Sequence, residues 1–188
     1  MPKKNELHSR KSLAEGRFLR IDELQFTDRR GKNRRWETAD RVNSRGAAII
    51  IAEIVPDSTL ILVRQFRPPA WQYVIEFPAG LIDPGESAAA TAVRELREET
   101  GFEGEVVRVL PESTSSPGMS SEKMVVILMK VDGSRYRDGL PPSFQEENED
   151  IETLLVPKKG LLDFLEAEAA AGTGIDAKLL HYALGLEQ

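Results

Sequence analysis

At residues 83–87 the chain changes character. Upstream, apolar residues rich in isoleucine and valine come in two short runs, 47–55 and 60–66, joined by Pro56-Asp57-Ser58. A further short run follows at 73–77. Downstream of Asp83-Pro84-Gly85, helix formers take over as far as Gly101. Ser87 suits an N-cap, because its hydroxyl can accept from an unpaired amide of the first turn, and Gly101 suits a left-handed stop. The pattern predicts a helix over residues 87–100. Strand-like runs return at 106–110, 124–131 and 151–156, and two helices are expected over 160–171 and 176–186. Strands this apolar are buried on both faces and need helices to cover them. The fold class expected is therefore α/β (α+β), a mixed sheet with helices packed on it.

From residue 16 to 42 apolar and polar residues alternate instead, and Asp28 to Asn33 supply a turn. Two antiparallel strands with one solvated face are expected there. The chain then divides into a strand-rich N-terminal extension, residues 1–45, and a main domain, residues 46–188, within a length that can bury a real core. Absence of cysteine removes disulfides, thiolate metal sites and a cysteine nucleophile, and two histidines, His8 and His181, cannot build a polyhistidine zinc site. Any metal here should be a hard cation held by carboxylates. The net charge of −6, from 31 acidic and 25 basic side chains, disfavours a nucleic-acid partner. The run 47–55 is too short to span a bilayer, and residues 1–6 lack a signal-peptide apolar stretch, so no membrane and a cytoplasmic location are expected.

Chemistry concentrates on the helix. At about 100° per residue, Glu95, Glu98 and Glu99 share one arc, while Ala89, Val93, Leu96 and Thr100 fall opposite and are expected to face the core. Three like charges on one arc repel. Either the arc is a solvated face partly neutralised by Arg94 and Arg97, or a divalent cation offsets the repulsion. The helix by itself leaves both readings open.

Its context is more specific. Gly80, five residues, Glu86, seven residues, and then Arg94-Glu95-Leu96-Arg97-Glu98-Glu99-Thr100-Gly101-Phe102 match every fixed position of the Nudix box, with both spacers correct. The chain thus resembles the Nudix hydrolase family. The resemblance implies an α/β/α sandwich and hydrolysis of a nucleoside diphosphate linked to another group. It implies Glu95 and Glu99 as the principal ligands of Mg²⁺ or Mn²⁺, together with the Ala79 carbonyl, and Glu98 as a further ligand or base-orienting carboxylate. Glu86 and Arg94 look like a structural pair.

Three features outside the box resemble the ADP-ribose pyrophosphatase branch. Pro117 lies fifteen residues past Phe102 within a Ser-Pro-Gly context that is also a plain turn signal. Glu146-Glu147-Asn148-Glu149-Asp150 resembles a loop that in this branch closes over the diphosphate. That match implies Glu147 as general base, chosen over Glu146 by alignment alone, and Glu149 as a late metal ligand. Arg64-Gln65-Phe66-Arg67 and Glu76-Phe77-Pro78-Ala79-Gly80 resemble two further runs of the branch. Arg67 leads as a phosphate contact, followed by Arg64 and Arg41, with Glu76 also in the substrate site. Capping strand ends or pairing with surface carboxylates is the alternative for these arginines. Trp36 could stack on a nucleobase or simply pack, and the branch implies a homodimer built through the N-terminal strands. The expected function is Mg-dependent hydrolysis of a nucleoside diphosphate sugar, ADP-ribose to AMP plus ribose 5-phosphate. GDP-mannose or another nucleotide sugar is the alternative substrate, and a non-catalytic Nudix-fold ligand sensor is the alternative of another class.

Overall fold

A computed structural model describes residues 4–137, 139–145 and 150–187. The chain forms two compact units. Residues 1–46 and 112–124 make the first, and residues 47–111 and 125–188 the second.

In the first unit, β1 (Glu6–Glu15), β2 (Leu19–Thr27) and β3 (Asn33–Arg41) form an antiparallel sheet in that order. The alternating segment supplies β2 and β3, as expected. Between them the Asp28 carboxylate accepts the amides of Arg30 and Lys32, both at 2.9 Å, and so closes the turn. β1 was not expected. It is exposed along its whole length, so no alternation of burial marks it in the sequence.

In the second unit, β4 (Ala47–Val55), β5 (Thr59–Arg67), β6 (Gln72–Glu76) and β7 (Ala79–Leu81) precede α1 (Ala88–Thr100). Then come β8 (Glu105–Val109), β9 (Ser113–Thr114, in the first unit), β10 (Lys123–Asp132), a 3₁₀ turn at Gly133–Tyr136 and β11 (Ile151–Pro157). α2 (Leu161–Ala170), β12 (Gly174–Ile175) and α3 (Ala177–Leu186) close the chain. The sheet order is β12-β6-β5-β4-β10-β8, with β11 on β5 and β7 on β4. β12 runs parallel to β6, while β5 pairs antiparallel with β4, β6 and β11, so the sheet is mixed.

Side chains alternate across a strand, and Ala48, Ile50, Ala52 and Ile54 of β4 accordingly meet Ala92 and Leu96 of α1 in one buried cluster with Phe102, Ile127, Met129 and Val131. The helix starts where expected, with the Ser87 side chain accepting from the Ala90 amide at 3.2 Å. It stops at Gly101, whose φ of 76° is left-handed. Its inward stripe needs correction. Val93, expected inside, is 44% exposed, and Ala92 is buried instead. The stripe is rotated because Glu99 also turns inward, completing the series Ala92, Leu96, Glu99 at helical spacing.

Candidate active site

The three glutamates of α1 differ in burial although they share an arc. Glu99 is 3% exposed, and the side chains of Glu95 and Glu98 are 12% and 37% exposed. The arc therefore straddles the boundary between core and solvent. A carboxylate buried as deeply as Glu99 needs partners, and one is the Ala79 amide, which donates to its Oε2 at 3.2 Å. This contact sets the metal-ligand candidate Ala79 beside the helix. β7 holds Ala79 opposite Ile49 of β4.

Gly80 is required by the same packing. A Cβ built there would coincide with the Glu95 carboxylate, so any side chain at 80 displaces Glu95. Arg94 is the local counter-cation. Its Nη1 donates to Glu95 at 2.8 Å and to Glu98 at 2.9 Å, while Nε and Nη2 reach Glu86 at 3.3 and 3.1 Å. These bonds raise the Arg94 pKa, Glu86 contributing most. Glu86 is in turn held below the usual carboxylate range, first by Arg94 and then by the Thr91 hydroxyl, which donates to it at 2.7 Å. The expected brace between loop and helix is thus formed.

Arg67 reaches Glu76 through two parallel bonds, Nε–H to Oε1 at 2.7 Å and Nη2–H to Oε2 at 2.8 Å. Burial works against the Arg67 charge, but Glu76, Glu99 and Asp176 together raise its pKa. Arg67 therefore feels the field of Glu99 on the helix. Arg64 does not join this group. Three residues apart on a regular strand, Arg64 and Arg67 project to opposite faces, and Arg64 pairs with Glu152 and Glu168, each at 2.8 Å. Its Nε is buried without a hydrogen bond. A cavity of ≈ 580 Å³ borders the helix, lined by Ala90, Val93, Arg94, Arg97, Glu98 and Phe144; its size suits a small-molecule ligand.

Trp36 and Arg41 belong to the first unit. The Trp36 indole donates to the Gly118 carbonyl at 3.0 Å, and Arg41 donates to Glu122 at 3.0 Å. Pro117 sits in the turn they grip, where the Met119 and Ser120 amides both donate to Ser116 O at 2.9 Å. Asp40 anchors the same turn, an element the sequence did not reveal. It accepts from the Ser121 amide at 2.7 Å and from the hydroxyls of Ser121, Ser120 and Thr38, and from Arg10 at 2.6 Å. Burial pushes its pKa up, yet these donors prevail and hold it at about 2. Glu146, Glu147 and Glu149 lie outside the described residues. Gln145, which precedes them, was also missed by sequence reasoning: its amide bonds Ser143 and Ile151 nearby but also the Glu99 carbonyl, 46 residues away, and no local pattern marks that contact.

As for a metal, the donor set fits a hard divalent cation, being carboxylate and carbonyl oxygen throughout, in Glu95, Glu98, Glu99 and Ala79. Among the described residues no three acidic, histidine or cysteine side chains already converge as a cage. Also among them, no helix is long and apolar enough to cross a membrane.

The second unit is thus a mixed sheet with an acidic helix seated against the Gly80-bearing strand β7. The NUDIX domain matches residues 44–180. The chain is 34% identical over 194 residues to the ADP-sugar pyrophosphatase of Mus musculus, covering 99% of this chain and 89% of that one. To the ADP-ribose pyrophosphatase of Saccharomyces cerevisiae it is 30% identical over 185 residues, covering 94% and 80%. The crystal structure of an ADP compounds hydrolase superposes with a TM-score of 0.69 at 25% identity, covering 88% of this chain and 85% of that one. The chain belongs to the Nudix family and is an enzyme of it.

Proposed function

We propose that this enzyme hydrolyses the diphosphate linkage of nucleoside diphosphate sugars, with ADP-ribose, cut to AMP and ribose 5-phosphate, as its main substrate. The names of the mouse and yeast relatives support the substrate class. The observation that carries the reading is the buried Glu99 carboxylate, hydrogen-bonded by the Ala79 amide on the strand whose next residue, Gly80, lies against the Glu95 side chain.

In this reading Glu95, Glu99 and the Ala79 carbonyl hold Mg²⁺, or Mn²⁺ in its place, with Glu149 as a further ligand. The bound ion supplies charge withdrawal from the phosphate and a lowered pKa for water. Glu98 completes the ligand set or orients the base. Glu147 accepts the proton of the attacking water; this role rests on the sequence resemblance. Arg67, held in place by Glu76, offers guanidinium charge to the phosphate oxygens. Arg64, Arg41 and Trp36 are assigned to the rest of the substrate, within a cytoplasmic homodimer.

The test is a panel of nucleotide sugars incubated with the enzyme and Mg²⁺, products being resolved by anion exchange. ADP-ribose should turn over fastest, to AMP and ribose 5-phosphate, and chelation should abolish the reaction. Faster turnover of GDP-mannose would overturn the substrate assignment. No turnover of any nucleotide sugar would overturn the hydrolytic reading itself.

A further inference from the structure

Residues 41–46 carry the chain out of β3 through a turn with two left-handed residues. Asn43 has a φ of 60° and Gly46 a φ of 106°, and these residue types enter that region most readily. Packing at Gly46 also excludes a side chain, since a Cβ built there would lie 2.6 Å from the Lys123 carbonyl oxygen. The backbone at 46 is therefore pressed against the backbone at 123. Beside this contact is a cavity of ≈ 150 Å³ whose whole wall belongs to the first unit. Pockets for drug-sized ligands begin at about 300 Å³, so this one fits a small group and excludes a nucleoside.

The wall carries three cations, Arg41, Arg45 and Lys123, and two carboxylates, Asp40 and Glu122. Both carboxylates are already matched. Glu122 accepts from Arg41 Nε at 3.0 Å. Asp40 is held by Arg10 at 2.6 Å and by donors from Thr38, Ser120 and Ser121. Lys123 pairs with Glu112 at 3.2 Å. Arg45 has no ion pair among the described residues, so one positive charge on the wall stays unbalanced. Donors remain as well. Arg41 uses only Nε on Glu122, and the Ser44 hydroxyl accepts the Gly46 amide at 3.1 Å while keeping its own hydrogen.

Surplus positive charge, guanidinium N–H groups and a hydroxyl around a space too small for a base suit a tetrahedral oxyanion. Exposed ion pairs are weak in water, so Lys123 can turn from Glu112 toward an anion of higher charge. We propose that this cavity binds a phosphoryl group, free or as a monoester, with Arg45 and Lys123 as its charge partners and Ser44 as a neutral donor. The site uses neither the helix glutamates nor Arg67, so it stands or falls apart from the function proposed above. AMP and ribose 5-phosphate, the products of that reaction, both carry such a group and are the esters to test.

Calorimetric titration of the full chain, in EDTA and at low ionic strength, tests this with inorganic phosphate, ribose 5-phosphate and AMP as separate probes. Inorganic phosphate should bind, and Arg45→Ala should weaken it about 10- to 100-fold, the loss expected for a hydrogen bond to a charged group. Lys123→Gln should act in the same direction, and Arg45→Lys, which keeps the charge, should recover most of the affinity. Arg45 and Lys123 are exposed, so these variants should keep native dichroism. Phosphate should also raise the melting temperature of wild type and leave that of Arg45→Ala unchanged. Arg135→Ala, an exposed arginine of the second unit, should bind as wild type does. Binding of the esters as well would make a monoester the ligand, and binding of phosphate alone would make it the free anion; both outcomes uphold the site. No binding of any probe, equal affinity in wild type and Arg45→Ala, or an equal loss in Arg135→Ala would overturn it. None of these results bears on turnover of nucleotide sugars.

Discussion

Glu99 is the residue on which the chemistry turns, because burial and function pull it in opposite directions. Hydrophobic packing would place an apolar side chain at its position on the inward stripe, yet a carboxylate stands there with the Ala79 amide as a partner. Replacing Glu99 by Gln keeps shape and one acceptor but removes charge. Charge stabilisation by a metal is worth several kcal/mol, so turnover should fall by about 10²- to 10³-fold, while far-UV and near-UV dichroism stay native. Near-wild-type turnover would contradict the assignment. Gly80→Ala probes the neighbour. A new Cβ would lie 1.8, 2.0 and 2.4 Å from Oε1, Cδ and Cγ of Glu95, so the Glu95 side chain must swing away and give up its bond to Arg94. The expected result is a melting temperature close to wild type with Mn²⁺ binding weakened; a collapsed fold with unchanged metal affinity would refute it.

Among the elements, α1 depends on its two ends. Gly101 combines a φ of 76° with close approach of the Pro142 carbonyl, so Gly101→Ala adds left-handed strain of about 1–2 kcal/mol before any clash is counted. Ser87→Ala should cost about 1 kcal/mol by removing the cap. Urea denaturation of both variants checks this order, and an equal or smaller loss for Gly101→Ala would contradict it. In the first unit, Asp40 joins β3 to the 112–124 segment through Ser120 and Ser121. Its folded pKa of about 2 lies below the ordinary 3.8, so its contribution is complete above pH 4 and is lost as pH falls toward 2. Asp40→Asn should destabilise this unit at neutral pH by about 2 kcal/mol, the scale of hydrogen bonds to a charged group, and should flatten the stability profile between pH 4 and 2. An unchanged slope in that window would show that Asp40 is not the titrating group.

For the molecule as a whole, what could be read from the chain was what is local. The caps Ser87 and Gly101 and the apolar runs of β4 and β5 announce themselves through short-range pattern. β1 does not, because a wholly exposed strand leaves no burial period to read. Val93 was misplaced because the stripe includes a buried glutamate, which no hydrophobicity pattern marks as inward. Strand parity in the sequence already separates Arg64 from Arg67, and it is the register of β5 with β6 and β11 that makes this decisive. Asp40 and Gln145 were illegible, since the partners that define them lie 80 or 81 residues away for Asp40's serines and across the helix end for Gln145. The central claim is that Glu95, Glu99 and the Ala79 carbonyl hold the working metal against a nucleotide diphosphate. Its most direct test is the anomalous map of a crystal soaked with Mn²⁺ and a non-hydrolysable ADP-ribose analogue. The account predicts a Mn²⁺ peak within bonding distance of both carboxylates and of the Ala79 oxygen, with the diphosphate bound beside it. A peak elsewhere, or an analogue bound with no metal at these oxygens, would contradict it.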